Sequence, residues 1–170
     1  VSFTTRTRRS MSPSQAALTC ASRLIAQVLA AFAPAAVATE ALNPLTGKLL
    51  WTARTGGMNA SARPVYGKGL VFVTNGMGRM SAIVPEGKGD LEKDKIAWSS
   101  KRGVPKKSSL ILDGDLLYMV SDLGVASCVD AKSGTPHWTA RLGGNYAASP
   151  ILSRGKIYFF NQDGDIPVIA

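Results

Sequence analysis

Residues 43–57 read NPLTGKLLWTARTGG, and residues 130–144 read DAKSGTPHWTARLGG. The two stretches share an Asp or Asn, a Ser or Thr followed by Gly, and the run Trp-Thr-Ala-Arg with a Gly pair behind it. Duplication within a chain is the signature of a repeat architecture, in which each copy is one supersecondary unit. The sequence therefore predicts an array of similar units.

A third, less regular unit lies between these two copies. Three stretches of the chain align without a gap, and each places an aromatic residue at the same point, at Phe72, Tyr118 and Tyr158. The middle unit keeps its tryptophan, Trp98, but a longer polar stretch at residues 85–95 replaces the turn motif. The repeat is about 40–46 residues long, a period typical of propellers and of helical repeats.

Each unit has the pattern of about four strands. Short apolar or aromatic runs at residues 70–73, 116–120 and 157–160 are bounded by Gly, Asn and Asp, as strands are. Glycines between the runs supply the positive φ that tight hairpins need. Sustained apolar stripes at helical spacing, which a helical repeat requires, are missing from residues 41–170. We therefore predict an all-β chain, a β-propeller of four-stranded antiparallel blades.

The duplicated motif resembles the repeat of the pyrroloquinoline-quinone (PQQ) type β-propellers, from Ala41 to Trp51 and again from Cys128 to Trp138. In that family the indole of one blade's outer strand packs over the turn glycine of a neighbouring blade. The middle unit is most similar to secreted bacterial proteins that carry this repeat and have no characterised activity. The resemblance implies a structural blade-docking role for Gly47, Trp51, Trp98, Gly134 and Trp138.

The resemblance extends over residues 41–170 as a partial PQQ-like β-propeller of about three blades. Its repeats are expected at about 41–84, 85–129 and 130–170. Three blades do not close a propeller, which has four or more. We therefore expect a piece of a longer protein, the alternative being that another copy pairs the open strand edges.

Residues 1–40 differ from the rest in composition and are predicted to form a helical or disordered leader. A basic start and an alanine-rich apolar run end in Ala36-Val37-Ala38, which fits a secretory signal with an A-x-A cleavage site. Pro34 interrupts the run, which is also too short to span a bilayer comfortably. Two alternatives remain open: a non-homologous leader, and a last inner strand of a preceding blade at residues 38–42.

The chain carries a net charge of +9, part of it in a cluster formed by Lys101, Arg102, Lys106 and Lys107. A basic patch can bind nucleic acid or anionic lipid. No aromatic residues interleave with these cations, and acidic residues lie nearby in the sequence at 86–94. The cluster is therefore predicted to be a solvated loop surface, and no nucleic-acid partner is expected.

Residues that carry chemistry are scarce and scattered. His137 takes the place of Leu50 in the other copy, and Cys128 takes the small-residue position of Ala41 and Ala82. The sequence holds no His and Cys set with metal-ligand spacing, no paired carboxylates and no activated nucleophile. We therefore predict no catalytic, cofactor-binding or metal-binding residues.

Three functions are consistent with this pattern. The first is a non-catalytic propeller in the bacterial cell envelope, periplasmic or secreted, which acts as a scaffold for protein partners or for the remaining blades. The second, implied by the resemblance, is a fragment of a PQQ-dependent quinoprotein dehydrogenase with PQQ and calcium. The third is the extracytoplasmic sensor domain of a larger receptor or kinase. The first is favoured, because docking accounts for all three tryptophans and no ligand set remains.

Overall fold

The structure is a computed structural model and describes residues 34–35, 37–58 and 60–170. Within these ranges the chain forms four β-sheets, and its one helical element is a 3-10 turn at Lys93–Lys95. The strands, in chain order, are β1 (Pro34–Ala35), β2 (Ala38–Leu42), β3 (Leu49–Ala53), β4 (Val65–Gly67), β5 (Leu70–Thr74), β6 (Met80–Ile83), β7 (Gly89–Leu91), β8 (Ile96–Ser100), β9 (Ile111–Asp113), β10 (Leu116–Val120), β11 (Val125–Asp130), β12 (Pro136–Arg141), β13 (Ile151–Ser153), β14 (Lys156–Tyr158) and β15 (Val168–Ile169).

Two of the sheets are complete blades. The second sheet has the order β4-β5-β6-β8 and the third β12-β11-β10-β9, and all neighbouring strands in them are antiparallel. In each blade a small residue faces the tryptophan across the last strand pair, Ala82 opposite Trp98 and Cys128 opposite Trp138. The predicted all-β fold of four-stranded antiparallel blades is confirmed.

The first and fourth sheets are partial blades, so the chain holds about three blades in total, as predicted. In the first sheet β2 pairs with β3 as β11 pairs with β12, with Ala41 opposite Trp51. Residues 38–42 are therefore the inner strand of a preceding blade, which was one of the alternatives. The fourth sheet contains β13, β14 and β15. The leader at residues 1–40 was predicted to be helical or disordered, and this is wrong for Pro34–Ala35 and residues 38–40, which form strands because they pair with each other and with β3. The rest of that prediction, for residues 1–33, lies outside the described residues.

Stacking of the sheets produces the core. Central strand β5 is buried along its whole length, because it is covered on both sides. Val71 and Val73 pack with residues of the first sheet, whereas Leu70 and Phe72 pack with residues of the third. Full burial of a large apolar side chain contributes about 1.5–3 kcal/mol, so these interfaces are the main force that holds neighbouring blades together.

Serine hydroxyls link the residues that precede the first strand of the second, third and fourth sheets. The backbone N–H of Arg63 donates to Oγ of Ser109 at 2.9 Å, and the N–H of Ser109 donates to Oγ of Ser149 at 3.1 Å. The three residues occupy the same repeat position, so one hydrogen bond recurs between successive sheets. Strands β4 and β9 also lie close together, since the side chain of Leu112 fills the space where Gly67 would carry a Cβ. The second and third sheets are therefore in contact along their first strands.

Two buried groups, Cys128 and Tyr146, and the half-buried Tyr118 respond to alkaline pH. Burial raises the pKa of the Cys128 thiol, and a hydrogen bond from Tyr118 opposes this in part. Burial also raises the pKa of the Tyr118 and Tyr146 phenols. The unfolded chain therefore releases these protons at a lower pH than the folded chain does.

The free energy of unfolding is expected to fall as the pH rises above about 8.5, the ordinary pKa of a thiol. In that range the unfolded state binds fewer protons than the folded state, so the slope is negative. Urea titrations between pH 8 and pH 11 measure it. The control is Cys128→Ala, which carries the residue found at the matching positions 41 and 82. Its decline is expected only near pH 10, where tyrosine titrates, and an unchanged onset would contradict the assignment to Cys128.

Candidate functional site

Trp98 of the second sheet packs over the turn between β11 and β12 of the third sheet. A Cβ placed on Gly134 would lie 2.7 Å from Cδ2 and from Cε3 of the Trp98 ring. The indole Nε1 donates to the carbonyl oxygen of Ala131 at 3.1 Å. Gly134 has φ +73°, a left-handed conformation in which glycine is favoured. This turn therefore accepts the indole by its shape and by one hydrogen bond.

The side chain of Asp130 holds this turn together. Its carboxylate accepts hydrogen bonds from the backbone N–H and the hydroxyl of Ser133, both at 2.7 Å. These bonds lower the pKa of Asp130, the side-chain bond contributing most. The sequence pattern Asp-x-x-Ser-Gly is thus explained by turn geometry, with Asp130 as the acceptor that fixes the turn.

Trp51 of the first sheet is covered in a different way. The polar stretch that replaces the turn motif in the second unit contains β7, which adds to the first sheet in parallel beside β3. Gly89 lies opposite Trp51, Asp90 opposite Thr52 and Leu91 opposite Ala53. Trp51 is fully buried, but its Nε1 has no hydrogen-bond partner. We call residues 86–92 the strap, because this segment of the second unit extends onto the first sheet.

The remaining predicted docking residues have other surroundings. Trp138 is half-buried and packs against Tyr118, with 6.2 Å between the ring centroids. Gly47 has a left-handed φ of +67°, but nothing lies within 4 Å of where its Cβ would be. Of the five predicted residues, the structure brings together Trp98 and Gly134. Sequence reasoning missed the strap, whose charged and glycine-rich composition is typical of a loop.

A groove of about 720 Å³ lies between the second and third sheets, at the face where two hairpin loops project. Asn75 accepts hydrogen bonds from the N–H groups of Met77 and Arg79 in one loop, and Ser121 accepts one from Val125 in the other. Each loop carries an exposed apolar side chain at its tip, Met77 and Leu123, with exposed fractions of 64% and 69%. These loops therefore present apolar groups on a rigid frame.

The rim of this groove is basic. Lys101, Lys106 and Arg141 contribute side chains to its lining, against one carboxylate from Asp122. Asp122 accepts a hydrogen bond from the backbone N–H of Lys106 at 2.9 Å, which ties the connection between β8 and β9 to the hairpin loop of the third sheet. Two members of the basic cluster that was predicted to be a solvated surface thus meet apolar loop tips from two blades. The groove is the candidate functional site, and it suits an extended partner with acidic and apolar side chains.

The alternative with PQQ would place an indole against the quinone. No tryptophan is among the residues that line the groove, and we assign no step to this cofactor. The described residues also include no group of three or more His, Cys, Asp or Glu side chains placed to hold a metal ion. No helix within them has the length and hydropathy needed to cross a membrane.

Docking of Trp98 can be tested with a matched pair of glycine substitutions. Gly134→Ala and Gly47→Ala both place a Cβ at a left-handed φ, which costs about 1–2 kcal/mol. Only Gly134→Ala also drives the Cβ into the indole, and overpacking adds about 1–3 kcal/mol. The free energy of unfolding from urea titrations is therefore expected to fall further for Gly134→Ala. Equal losses would contradict a docking role for this turn.

Comparison with known proteins places this fold in a family. The model of the family described as outer membrane protein assembly factor BamB matches residues 6–140 and, in an overlapping alignment, residues 88–170. The BamB protein of Xanthomonas campestris pv. campestris is 30% identical over an alignment of 123 residues, and the match covers 64% of this chain and 28% of that protein. The chain therefore spans less than a third of the length of this relative.

Two solved structures show the same fold. The crystal structure of BamB from Moraxella catarrhalis has a TM-score of 0.64 at 18% identity. The matched region covers 79% of this chain and 40% of the Moraxella chain. The crystal structure of the computationally designed Ika4 protein has a TM-score of 0.64 at 13% identity. The matched region covers 81% of this chain and 82% of the Ika4 chain. The predicted resemblance to PQQ-type propeller repeats is confirmed, and the chain belongs to the family of the outer membrane protein assembly factor BamB.

Proposed function

We propose that this chain is part of a non-catalytic β-propeller that binds protein partners in the bacterial cell envelope and serves in the assembly of outer membrane proteins. The observation that carries the proposal is the groove between the second and third sheets, where Met77 and Leu123 stand exposed within a basic rim. Family membership supports the setting, since the relatives are named as assembly factors of this kind. No cofactor is part of the proposal.

Physical features of the groove favour protein binding. Its hairpin loops are held by Asn75 and Ser121, so docking of a partner orders few additional groups. Exposed apolar side chains contribute to the binding free energy of an interface, most of which comes from a few residues. The surrounding cations speed encounter with an acidic partner and select for it. A partner segment with alternating acidic and apolar residues would satisfy both parts of the site.

The proposal is tested by site-specific photo-crosslinking in the bacterial envelope. A photoreactive amino acid at position 123 is expected to form adducts with outer membrane proteins or with other proteins of their assembly, identified by mass spectrometry. The matched control is position 45, because Leu45 is 92% exposed and lies in the turn between β2 and β3. Strands alternate in direction, so that turn is on the opposite face of the sheets.

Charge reversal at the rim gives a second measurement. Lys106→Glu, combined with the photoreactive residue at position 123, is expected to lower the adduct yield several-fold and to reduce its dependence on salt, as rim charges do. Equal yields at positions 45 and 123, with no response to Lys106→Glu, would show that the groove is not a binding site. Recovery of a quinone with the purified protein would contradict the non-catalytic assignment.

A further inference from the structure

The strap leaves the second sheet through a loop that is closed at its base. Strands β6 and β8 pair with Ile83 opposite Ile96, and the backbone N–H of Val84 donates to the carbonyl oxygen of Lys95 at 2.8 Å. The loop between these two residues carries the strap onto the first sheet, where β7 pairs with β3. The second sheet, β4-β5-β6-β8, therefore keeps all its strand pairs whether or not the strap lies on β3.

Few contacts hold the strap in place. Three of its residues pair with β3 in parallel, an arrangement slightly less stable per residue than antiparallel pairing. Leu91 is half-buried and packs with the core of the first sheet, whereas the other strap residues are exposed. The ion pair of Arg54 with Asp90 spans 3.8 Å between side chains that are 78% and 72% exposed, and such surface pairs contribute little. Leu91 is therefore the main anchor of the strap.

The strap leaves one polar group of the first sheet without a partner. Among the residues that the structure describes, none accepts a hydrogen bond from Nε1 of Trp51, which is fully buried. Gly89 lies opposite Trp51 and brings no side chain, and nothing beyond its chain neighbours lies within 4 Å of where its Cβ would be. Residues paired across a sheet point to the same side. A segment with a hydrogen-bond acceptor at this position would therefore match the edge of β3 better than the strap does.

We propose that the edge of β3 at residues 51–53 binds an extended segment of a partner protein, which replaces the strap there. The segment pairs in parallel and carries Asn, Asp or Ser opposite Trp51, an acidic residue opposite Thr52 and an aliphatic residue opposite Ala53. The last two features are those of the strap itself, and the first supplies the acceptor that the strap lacks. Proteins bind peptides by such strand addition. The inference rests on the proposed protein-binding role and adds to it a second contact surface, which the strap covers.

A modified strap peptide supplies the probe. The peptide EGKNDLE has the sequence of residues 86–92 with Asn in place of Gly89, and it is titrated into the full chain labelled with nitrogen-15. NMR shifts are expected at the amides of residues 51–54 and at the indole N–H of Trp51. The dissociation constant is expected in the millimolar range, since so short a strand is marginal on its own. The tethered strap competes with the peptide at an effective concentration of millimolar order.

Release of the strap is expected to strengthen this binding. The double variant Asp90→Lys and Leu91→Lys, which we call the released variant, removes the ion pair and the apolar anchor from the strap, while the peptide keeps both. Its affinity for EGKNDLE is expected to rise about tenfold, because the internal competitor is weakened. The matched control is the double variant Lys88→Ala and Glu92→Ala, which changes strap residues outside β7 and is expected to leave the affinity unchanged.

The acceptor is tested with EGKADLE, in which Ala takes the place of Asn. The released variant is expected to prefer EGKNDLE about threefold to tenfold, the range of one hydrogen bond. The indole proton of Trp51 is expected to move downfield with EGKNDLE alone, and this readout needs no substitution of the tryptophan. In Trp51→Phe, which keeps an aromatic ring but has no N–H, the preference is expected to disappear. A preference that came from the backbone conformation of the peptide would persist in this variant.

Four results would overturn the inference: no shifts at residues 51–54 in the released variant, equal affinity for the two peptides, a preference unchanged in Trp51→Phe, or an equal gain in the control variant. Shifts there that grow with protein concentration without peptide would identify the strap of a second copy as the occupant and would also overturn it. The proposed function is judged separately, by crosslinks at position 123. Those crosslinks can persist while the peptides fail to bind, and then the groove role stands without the edge.

Discussion

The packing of Trp98 on the turn of the third sheet is the contact on which the junction between the second and third sheets depends. An indole is the largest apolar group that a blade presents, and it also carries an N–H that needs an acceptor when it is buried. Trp98 meets both needs at one turn, through Gly134 and the carbonyl of Ala131. The second and third sheets stack because this turn provides the surface on which the Trp98 indole rests.

The first interface shows what changes when the turn is absent. The strap buries Trp51 completely, but its N–H is left without a partner. A buried unpaired donor costs about 1–3 kcal/mol, which the strap offsets with the added strand and with the apolar contact of Leu91. In a repeat array each unit interacts mainly with its neighbours, so one interface can use a strap and the next a turn without disturbing the stack.

Much of this fold could be predicted from the sequence, because individual residues recur at the same position in each repeat. Phe72, Tyr118 and Tyr158 marked the strands, and the Trp98–Gly134 contact followed from the repeat that the chain resembles. The phase of the repeat was harder to predict. The expected units begin at the turn before each tryptophan, whereas the second, third and fourth sheets begin at β4, β9 and β13. The period of a repeat is the same for any choice of starting residue, so it does not define where a sheet begins.

The strap and the groove could not be predicted, for a common physical reason. Gly89, Asp90 and Leu91 have no strand pattern of their own, and they become a strand only through pairing with β3. Lys101 and Lys106 are near each other in sequence, but the groove also needs Met77 from the second sheet and Leu123 from the third. Both features depend on contacts between residues that are distant in the sequence. The periodicity of the sequence does not reveal such contacts.

The duplicated tetrapeptide shows why a propeller repeat specifies architecture more fully than function. Residues 51–54 and 138–141 have the same sequence and the same strand position, yet Ala53 is buried and Ala140 is exposed. Ala53 is buried because it packs with Val71 and Val73 of the second sheet and with Leu91 of the strap. The burial of a repeated side chain therefore depends on the neighbouring elements as well as on its own sequence.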